Sequence, residues 1–345
     1  MTPHILQKLY NSAKRIDRNV TLEEVKDWLR GENTYTLHKD VRKNFSREKI
    51  FVTQPYEQYQ ADLVDMQAFS QYNDGYKYIL TVIDCFSRYA YALPLKDKSG
   101  GEVKNALQQI FKKRKPTKLQ TDRGKEFLNS SVQNFLKSND IQYFTTFNTH
   151  FKCAIVERFN RTLKSKMFKY FSSRGTRKYL NVLQNFISSY NNTYHRTLKT
   201  APVNVNEDNT NVIFYNIYGV ATPRKYLLQQ VKPKLQSGDK VRIKYDLNQM
   251  DKSYYPNWTD TIYEVDKEIK GRQKPMYFLK MDGKNLKQKF YPEEVQKIRE
   301  NYYRIEKIIK RQSQNGKKGF LVKWLGYSDL HNSWVPEENI KRLNA

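Results

Sequence analysis

At 345 residues the chain is long enough for two to four domains and at least one sizeable core. Its 62 lysines and arginines against 35 acids leave a formal charge of +27, spread along the length rather than held in a tail, which is the footprint of a polyanionic partner. Two cysteines, Cys85 and Cys153, exclude a disulfide framework and a four-cysteine zinc site, and no run of about 18 apolar residues or signal-peptide core argues for a membrane or secretory role.

Aromatics make up 14% of the residues, 26 of them tyrosine, so low hydropathy does not imply disorder here: such rings supply cores to small domains. The five histidines are scattered and form no metal-binding cluster in the sequence. A reducing, intracellular setting is expected.

Residues 1–50 are polar and basic, with one helix expected over Thr21–Leu29. Thr21 can cap it, Glu24 completes a capping box, Leu22, Val25 and Leu29 line one side, and Gly31 ends it. Arg42, Lys43, Arg47 and Lys49 follow as a basic connector, either tracking a phosphate backbone or simply solvated.

From Tyr59 the pattern becomes strand-like. Tyr59–Met66, Tyr76–Phe86 and Tyr89–Leu95 are β-rich runs separated by Asn73-Asp74-Gly75 and Ser87-Arg88, which predicts a three-stranded meander. A helix from Gly100 to about Lys113, a strand over Thr117–Thr121, a helix over Ser130–Ser138, a strand over Ile141–Phe147 and helices near 155–174 and 177–195 complete a mixed α/β unit.

The acids on this frame stand out by position. Asp62 lies inside the first strand, where Asp is disfavoured, with Asp65 on the opposite face. Asp122 ends the fourth strand ahead of Gly124. Glu157 begins a helix whose Val156, Phe159, Leu163, Met167 and Tyr170 fall on one side, while Asn160, Arg161 and Lys164 follow Glu157 at i+3, i+4 and i+7. Taken singly, each acid reads better as a solvated or strand-end carboxylate; clustered, they would repel by about 4 kcal/mol per pair 4 Å apart at an effective dielectric of 20. Divalent cations relieve such repulsion. Hard oxygen ligands select Mg²⁺ or Mn²⁺, and a pair of ions can clamp both oxygens of an in-line phosphoryl displacement.

Several stretches carry a family resemblance: Gln60-Ala61-Asp62, Val82-Ile83-Asp84-Cys85-Phe86-Ser87, Thr121-Asp122-Arg123-Gly124-Lys125-Glu126-Phe127 and Val156-Glu157-Arg158-Phe159-Asn160-Arg161-Thr162-Leu163-Lys164. They resemble the core of retroviral-type DDE integrases, and Ser189–Arg196 with Pro202 resembles the end of that core. Between Asp122 and Glu157 lie 34 residues, one short of the family's usual spacing. Ala61–Met66, Tyr72–Lys77 and Tyr35–His38 are similar to integrases of Maverick/Polinton elements and related virophages.

The resemblance implies a ribonuclease-H-like catalytic core over 51–205, preceded by the helical and basic segment 1–50. Asp62, Asp122 and Glu157 would be its catalytic and metal-binding residues, holding two Mg²⁺ or Mn²⁺ ions, with Asp62 bridging them. Asn160, Arg161 and Lys164 match positions that face substrate DNA. The chain departs from the family in two places: no paired His and Cys precede residue 50 to form a zinc module, and Asn148–Ala154 lacks the Pro and Gly usual before the catalytic Glu.

Residues 206–235, with their Asn-rich start and Lys232-Pro233-Lys234, are expected to form a linker. Within 236–298, Gly238–Tyr245, Ile262–Val265, Met276–Met281 and Phe290-Tyr291 read as strands of a small five-stranded SH3-like β-barrel. It resembles the DNA-binding barrel of integrases, with Lys240, Arg242 and Lys244 on one charged face. Residues 299–345, through Tyr303–Ile309, Gly319–Tyr327 and Asn332–Asn339, resemble a chromodomain. Tyr303, Trp324 and Tyr327 then match the aromatic cage that holds methylated lysine by cation–π attraction, His331 stands where the family has an acid, and Trp334 is expected in the core.

The resemblance as a whole implies a mobile-element integrase that trims a 3′ end by hydrolysis and uses that 3′ hydroxyl to attack a target phosphodiester. Its expected partners are double-stranded DNA, from element ends and target, a methylated histone tail, and copies of itself in a tetramer or larger assembly. The expected compartment is the host nucleus or a virus-like particle. A catalytically retired chromatin adaptor and a cut-and-paste DDE transposase are the alternatives; intact Asp62, Asp122 and Glu157 argue against the first, and second-strand cleavage would mark the second.

Overall fold

The computed structural model describes residues 3–42, 45–145, 153–245, 255–299, 303–314 and 317–340. The chain divides into two compact units, one formed by Lys49–Gln229 and the other by Met1–Glu48 together with Gln230–Ala345. The expected amino-terminal segment, the five-stranded region and the chromodomain-like segment fall together in the second of these units.

Three helices come first: α1 (Pro3–Ile16), α2 (Leu22–Gly31) and α3 (Asn33–His38). The capping box predicted for α2 forms, with Thr21 and Glu24 each satisfying the other's backbone amide, and Val25 and Leu29 are buried. Neither α1 nor α3 was expected from the sequence pattern. Arg42 is described as an irregular segment, and Lys43 lies outside the described residues.

In the Lys49–Gln229 unit, β1 (Gln58–Asp65), β2 (Tyr78–Asp84) and β3 (Ala90–Leu95) form the expected antiparallel meander. After α4 (Gly100–Phe111) comes β4 (Lys118–Thr121), parallel to β1; after α5 (Ser130–Ser138) comes β5 (Gln142–Thr145), parallel to β4. The strand order is β3-β2-β1-β4-β5. Strand alternation sends Tyr59, Ala61, Leu80, Val82 and Leu119 to the face covered by α4 and α5 through Val103, Leu107, Val132 and Leu136. The other face carries Val64, Met66, Ile79 and Ile83 against α6 (Ala154–Arg174) and α7 (Leu183–Asn191). On α6 the buried stripe is Val156, Phe159, Leu163 and Met167, as the helical period predicts, and Gly175 ends it in the left-handed conformation.

The expected linker is largely structured. Residues 206–229 contain α8 (Thr210–Tyr218) and α9 (Pro223–Leu228), and Ile213, Phe214, Ile217, Tyr218 and Tyr226 pack with Val52, Cys85 and Phe86 in a third cluster of this unit. Its asparagines are helix-starting devices rather than linker filler. Asn206 and Asn209 each accept the other's backbone amide at 3.1 Å just before α8.

In the other unit, β6 (Lys240–Ile243), β7 (Tyr263–Ile269), β8 (Met276–Met281), β9 (Lys284–Phe290) and β10 (Val295–Lys297) form a five-stranded antiparallel sheet ordered β10-β6-β7-β8-β9. The strand count matches the expectation. The closure does not, because among the described residues β9 and β10 remain the two open ends. Val241, Val265, Tyr277, Leu279, Phe290 and Val295 fill its core. The amino-terminal segment is stitched to this sheet: the Leu37 carbonyl accepts from the Asn257 and Trp258 amides at 2.9 and 3.2 Å, and Glu48 accepts from the Arg272, Gln273 and Lys274 amides at 3.1–3.2 Å. A three-stranded sheet of β11 (Ile305–Gln314), β12 (Lys317–Trp324) and β13 (Ser333–Pro336) follows. Trp334, expected in the core, is instead 49% exposed on the edge strand β13.

Candidate active site and aromatic cage

Two glutamines and one register bring the acids together. In the parallel pair β1–β4, Gln60 lies opposite Gln120, so the residues two further on, Asp62 and Asp122, leave the same end of adjacent strands. Gln120 Oε1 accepts from Gln58 Nε2 at 2.8 Å and from Gln60 Nε2 at 2.9 Å, all three side chains being buried. Gln60 Oε1 in turn accepts the Ile155 and Val156 amides, both at 3.1 Å. Those amides belong to the first turn of α6, whose own N-cap residue, Cys153, offers no side-chain cap. The strand therefore caps the helix, and Glu157 begins its run immediately after the capped amides.

Asp62 is half-buried on the sheet face covered by α6. Its Oδ1 accepts the Leu63 amide and its Oδ2 accepts Asn160 Nδ2, both at 2.8 Å. Burial, followed by the charges of Asp122 and Glu157, pushes its carboxyl up to about 6, so both of those acids lie within electrostatic reach of Asp62. Asp122 is exposed and accepts the Gly124 amide at 3.0 Å; Glu157 is half-buried. Asp65 is exposed on the other side of β1, bonded to the Gln67 amide and side chain.

Among the described residues, no three of His, Cys, Asp and Glu converge tightly enough to hold a metal ion. The donors nevertheless fit a hard divalent cation. They are all oxygens, burial and then the charges of Asp122 and Glu157 raise Asp62, and Oδ1 of Asn160, a residue only 8% exposed, is buried beside Asp62 without a hydrogen-bond partner. Arg161 and Lys164 are exposed on α6. Residues 148–152 of the segment before Glu157, where the sequence departs from its family, lie outside the described residues.

The charged face expected on β6 does not form. Arg242 is 2% exposed: its Nη1 donates to the Thr259 and Asp260 carbonyls at 2.6 and 2.9 Å, and its Nη2 to Asn33 Oδ1 at 2.6 Å. Alternation places it opposite Val241 as expected, but that face is covered by α3 and the 259–260 segment. Lys240 is exposed enough to meet solvent yet pairs with Glu264 at 2.8 Å, and Lys280 with the same carboxylate at 2.9 Å, holding it down to about 2. Lys244 is half-buried, in a bridge with Trp258.

The three aromatic residues expected to form a cage do meet. Tyr303 lies 5.8 Å from Trp324 and 5.6 Å, edge-on, from Tyr327, by ring centroids. Trp324 Nε1 donates to Ser333 Oγ at 2.9 Å, fixing the indole.

Sequence reasoning missed the functional weight of Gln58, Gln60 and Gln120. The available signal was three polar residues, Gln58, Gln60 and Asp62, recurring every second position on one face of a strand that is otherwise core.

Residues 52–147 match the Integrase core domain and residues 303–344 the Chromo (CHRromatin Organisation MOdifier) domain. A transposon-derived protein of Caenorhabditis elegans is 37% identical over 200 residues, 57% of this chain and 65% of that protein, so the chain spans just under two thirds of this relative's length. Chromobox protein homolog 2 of Homo sapiens is 46% identical over 48 residues, 14% of this chain and 9% of that protein. A chain of the simian T-cell lymphotropic virus intasome superposes with a TM-score of 0.56 at 18% identity, covering 85% of this chain and 98% of that one, a likeness of fold. Two stretches of the chain thus match known domain families, an integrase core domain at residues 52–147 and a chromo domain at residues 303–344, and the fold around the first is ribonuclease-H-like.

Proposed function

We propose that the protein is the DNA integrase of a mobile element of Maverick/Polinton type, performing 3′-end processing and strand transfer, with its chromo domain directing insertion to chromatin in the host nucleus. The observation that carries the catalytic part is the tie from β1 through Gln120 and Gln60 to the α6 amino terminus, which sets Asp62, Asp122 and Glu157 on three elements within electrostatic reach. These acids would hold divalent ions, Mg²⁺ or Mn²⁺, whose chemistry is to sharpen an oxygen nucleophile and stabilise the departing oxyanion. Asn160 keeps Asp62 oriented through its Nδ2, and Arg161 and Lys164, one and two turns beyond Glu157, neutralise the phosphates of the bound duplex. Joining two element ends to one target calls for a homo-oligomer, a tetramer or larger.

The test uses the purified chain, a labelled duplex with the element's terminal sequence, target DNA and Mg²⁺. Asp62→Asn, Asp122→Asn and Glu157→Gln should each abolish 3′ trimming and strand transfer while duplex affinity stays within a few-fold, because phosphate contacts dominate it. Near-normal transfer by any of the three removes that acid from the site. Asp65→Asn should remain active, and second-strand cleavage by the unaltered protein would make it a cut-and-paste transposase.

A further inference from the structure

The aromatic cluster of the chromo domain is built against the neighbouring five-stranded sheet. Tyr327 OH accepts the Ile262 amide at 2.8 Å, the Gly326 carbonyl accepts Thr261 Oγ1 at 2.9 Å, and Arg304, beside Tyr303, pairs with Asp260 at 3.3 Å. Gly326 has φ +82°, and a Cβ there would lie 2.8 Å from Thr261 Oγ1, so this approach admits glycine alone. The ring of His331 lies 5.4 Å from that of Tyr327, and His331 Nε2 is 3.1 Å from Asp282 Oδ2. Asp282 belongs to the sheet. With Gly283 it makes the two-residue turn between β8 and β9, at φ +52° and +73°, the pairing that a type I′ hairpin favours.

We infer that the methyl-ammonium site is shared between two domains, with Asp282 of the five-stranded sheet supplying the anionic wall of the cage formed by Tyr303, Trp324 and Tyr327. This rests on the reading of that cluster as a methyl-lysine cage. A cation held over aromatic faces gains from a nearby carboxylate, and more so on a chain of charge +27 that otherwise repels a lysine-rich tail. The other acids nearby are engaged: Glu306 and Asp329 of the chromo domain face Lys323 at 3.3 and 3.6 Å, and Asp260, before β7, faces Arg304. Asp282 faces an imidazole rather than a lysine or arginine.

Turn chemistry alone would also place an aspartate at this position. Asp282→Asn separates the two roles, because asparagine adopts the left-handed conformation as readily and removes only the charge. The full chain is titrated with fluorescent histone-tail peptides carrying one trimethyl-lysine and with their unmodified counterparts, by anisotropy. Asp282→Asn should weaken the trimethylated peptide roughly three- to tenfold, with little change for the unmodified one and an unchanged unfolding temperature. Trp324→Ala should abolish the preference altogether. Wild-type affinity in Asp282→Asn, or an equal loss for both peptides, overturns the shared site while the Trp324→Ala loss leaves the cage standing. No preference in the unaltered protein overturns the cage itself and the shared site with it.

Discussion

Asp62 is held in an environment that disfavours its charge, and this has a direction in pH. Its carboxyl sits at about 6 in the folded chain against 3.8 for the ordinary group. Below about pH 4 it is neutral in both folded and unfolded chains. As pH climbs towards 6 the unfolded chain gives up this proton first, so metal-free stability falls through that window and stays reduced above it. Asp62→Asn should therefore be more stable than the unaltered protein at pH 7, by on the order of 2 kcal/mol, with the gap closing below pH 4 in urea titrations. Mg²⁺ should raise the unfolding temperature of the unaltered protein and leave that of Asp62→Asn where it is, since a ligand stabilises only a fold that binds it. Lys164 offers a second readout at this scale. Lys164→Ala should reduce the salt slope of duplex binding by about one unit, and an unaltered slope would make it a solvated lysine.

Between elements, the glutamine tie matters more than any one acid. Gln60→Ala removes the acceptor for two amides of the first turn of α6 and should cost about 1–3 kcal/mol in urea denaturation, together with a loss of strand transfer. Gln60→Glu keeps that acceptor and should recover part of the stability, so equal losses in both variants would refute the capping role. Strand β6 makes the opposite case. Arg242→Ala should lower stability on the order of 3 kcal/mol, by stripping hydrogen bonds from Asn33 and the 259–260 carbonyls, and should leave the salt slope of DNA binding unchanged. These elements also mark what the sequence could tell. The meander, α5, the capped α2 and the stripe of α6 were legible because their period or cap is local. Alternation correctly said that Arg242 and Val241 face opposite ways, but not that α3 would cover the arginine. Helix α8 was hidden because Asn206 and Asn209 signal a helix start and a loop in the same letters. The three acids were legible as residues out of place. The glutamines joining them were not, since an amide has no charge to betray it and its partners lie about 60 and 95 residues away.

At the scale of the molecule, the decisive fact is that one unit is assembled from Met1–Glu48 and Gln230–Ala345, with Lys49–Gln229 inserted between them. A fragment of residues 230–345 alone lacks Asn33 for Arg242, the Leu37 carbonyl for Asn257 and Trp258, and Glu48 for the 272–274 amides. It should unfold at lower denaturant than the same fragment with residues 1–48 added in trans, as read by tryptophan fluorescence. Equal midpoints would show that the amino-terminal helices are passengers. The same discontinuity imposes an order of events on synthesis. At about 5–20 residues per second, roughly ten to forty seconds separate the emergence of Glu48 from that of Gln230, and the inserted unit can close in that interval while the first helices still lack their partner. Folding of the second unit then brings together chain ends already tethered through a finished domain, so a mutation that slows the insert also delays the unit carrying the chromo domain, without touching one of its contacts.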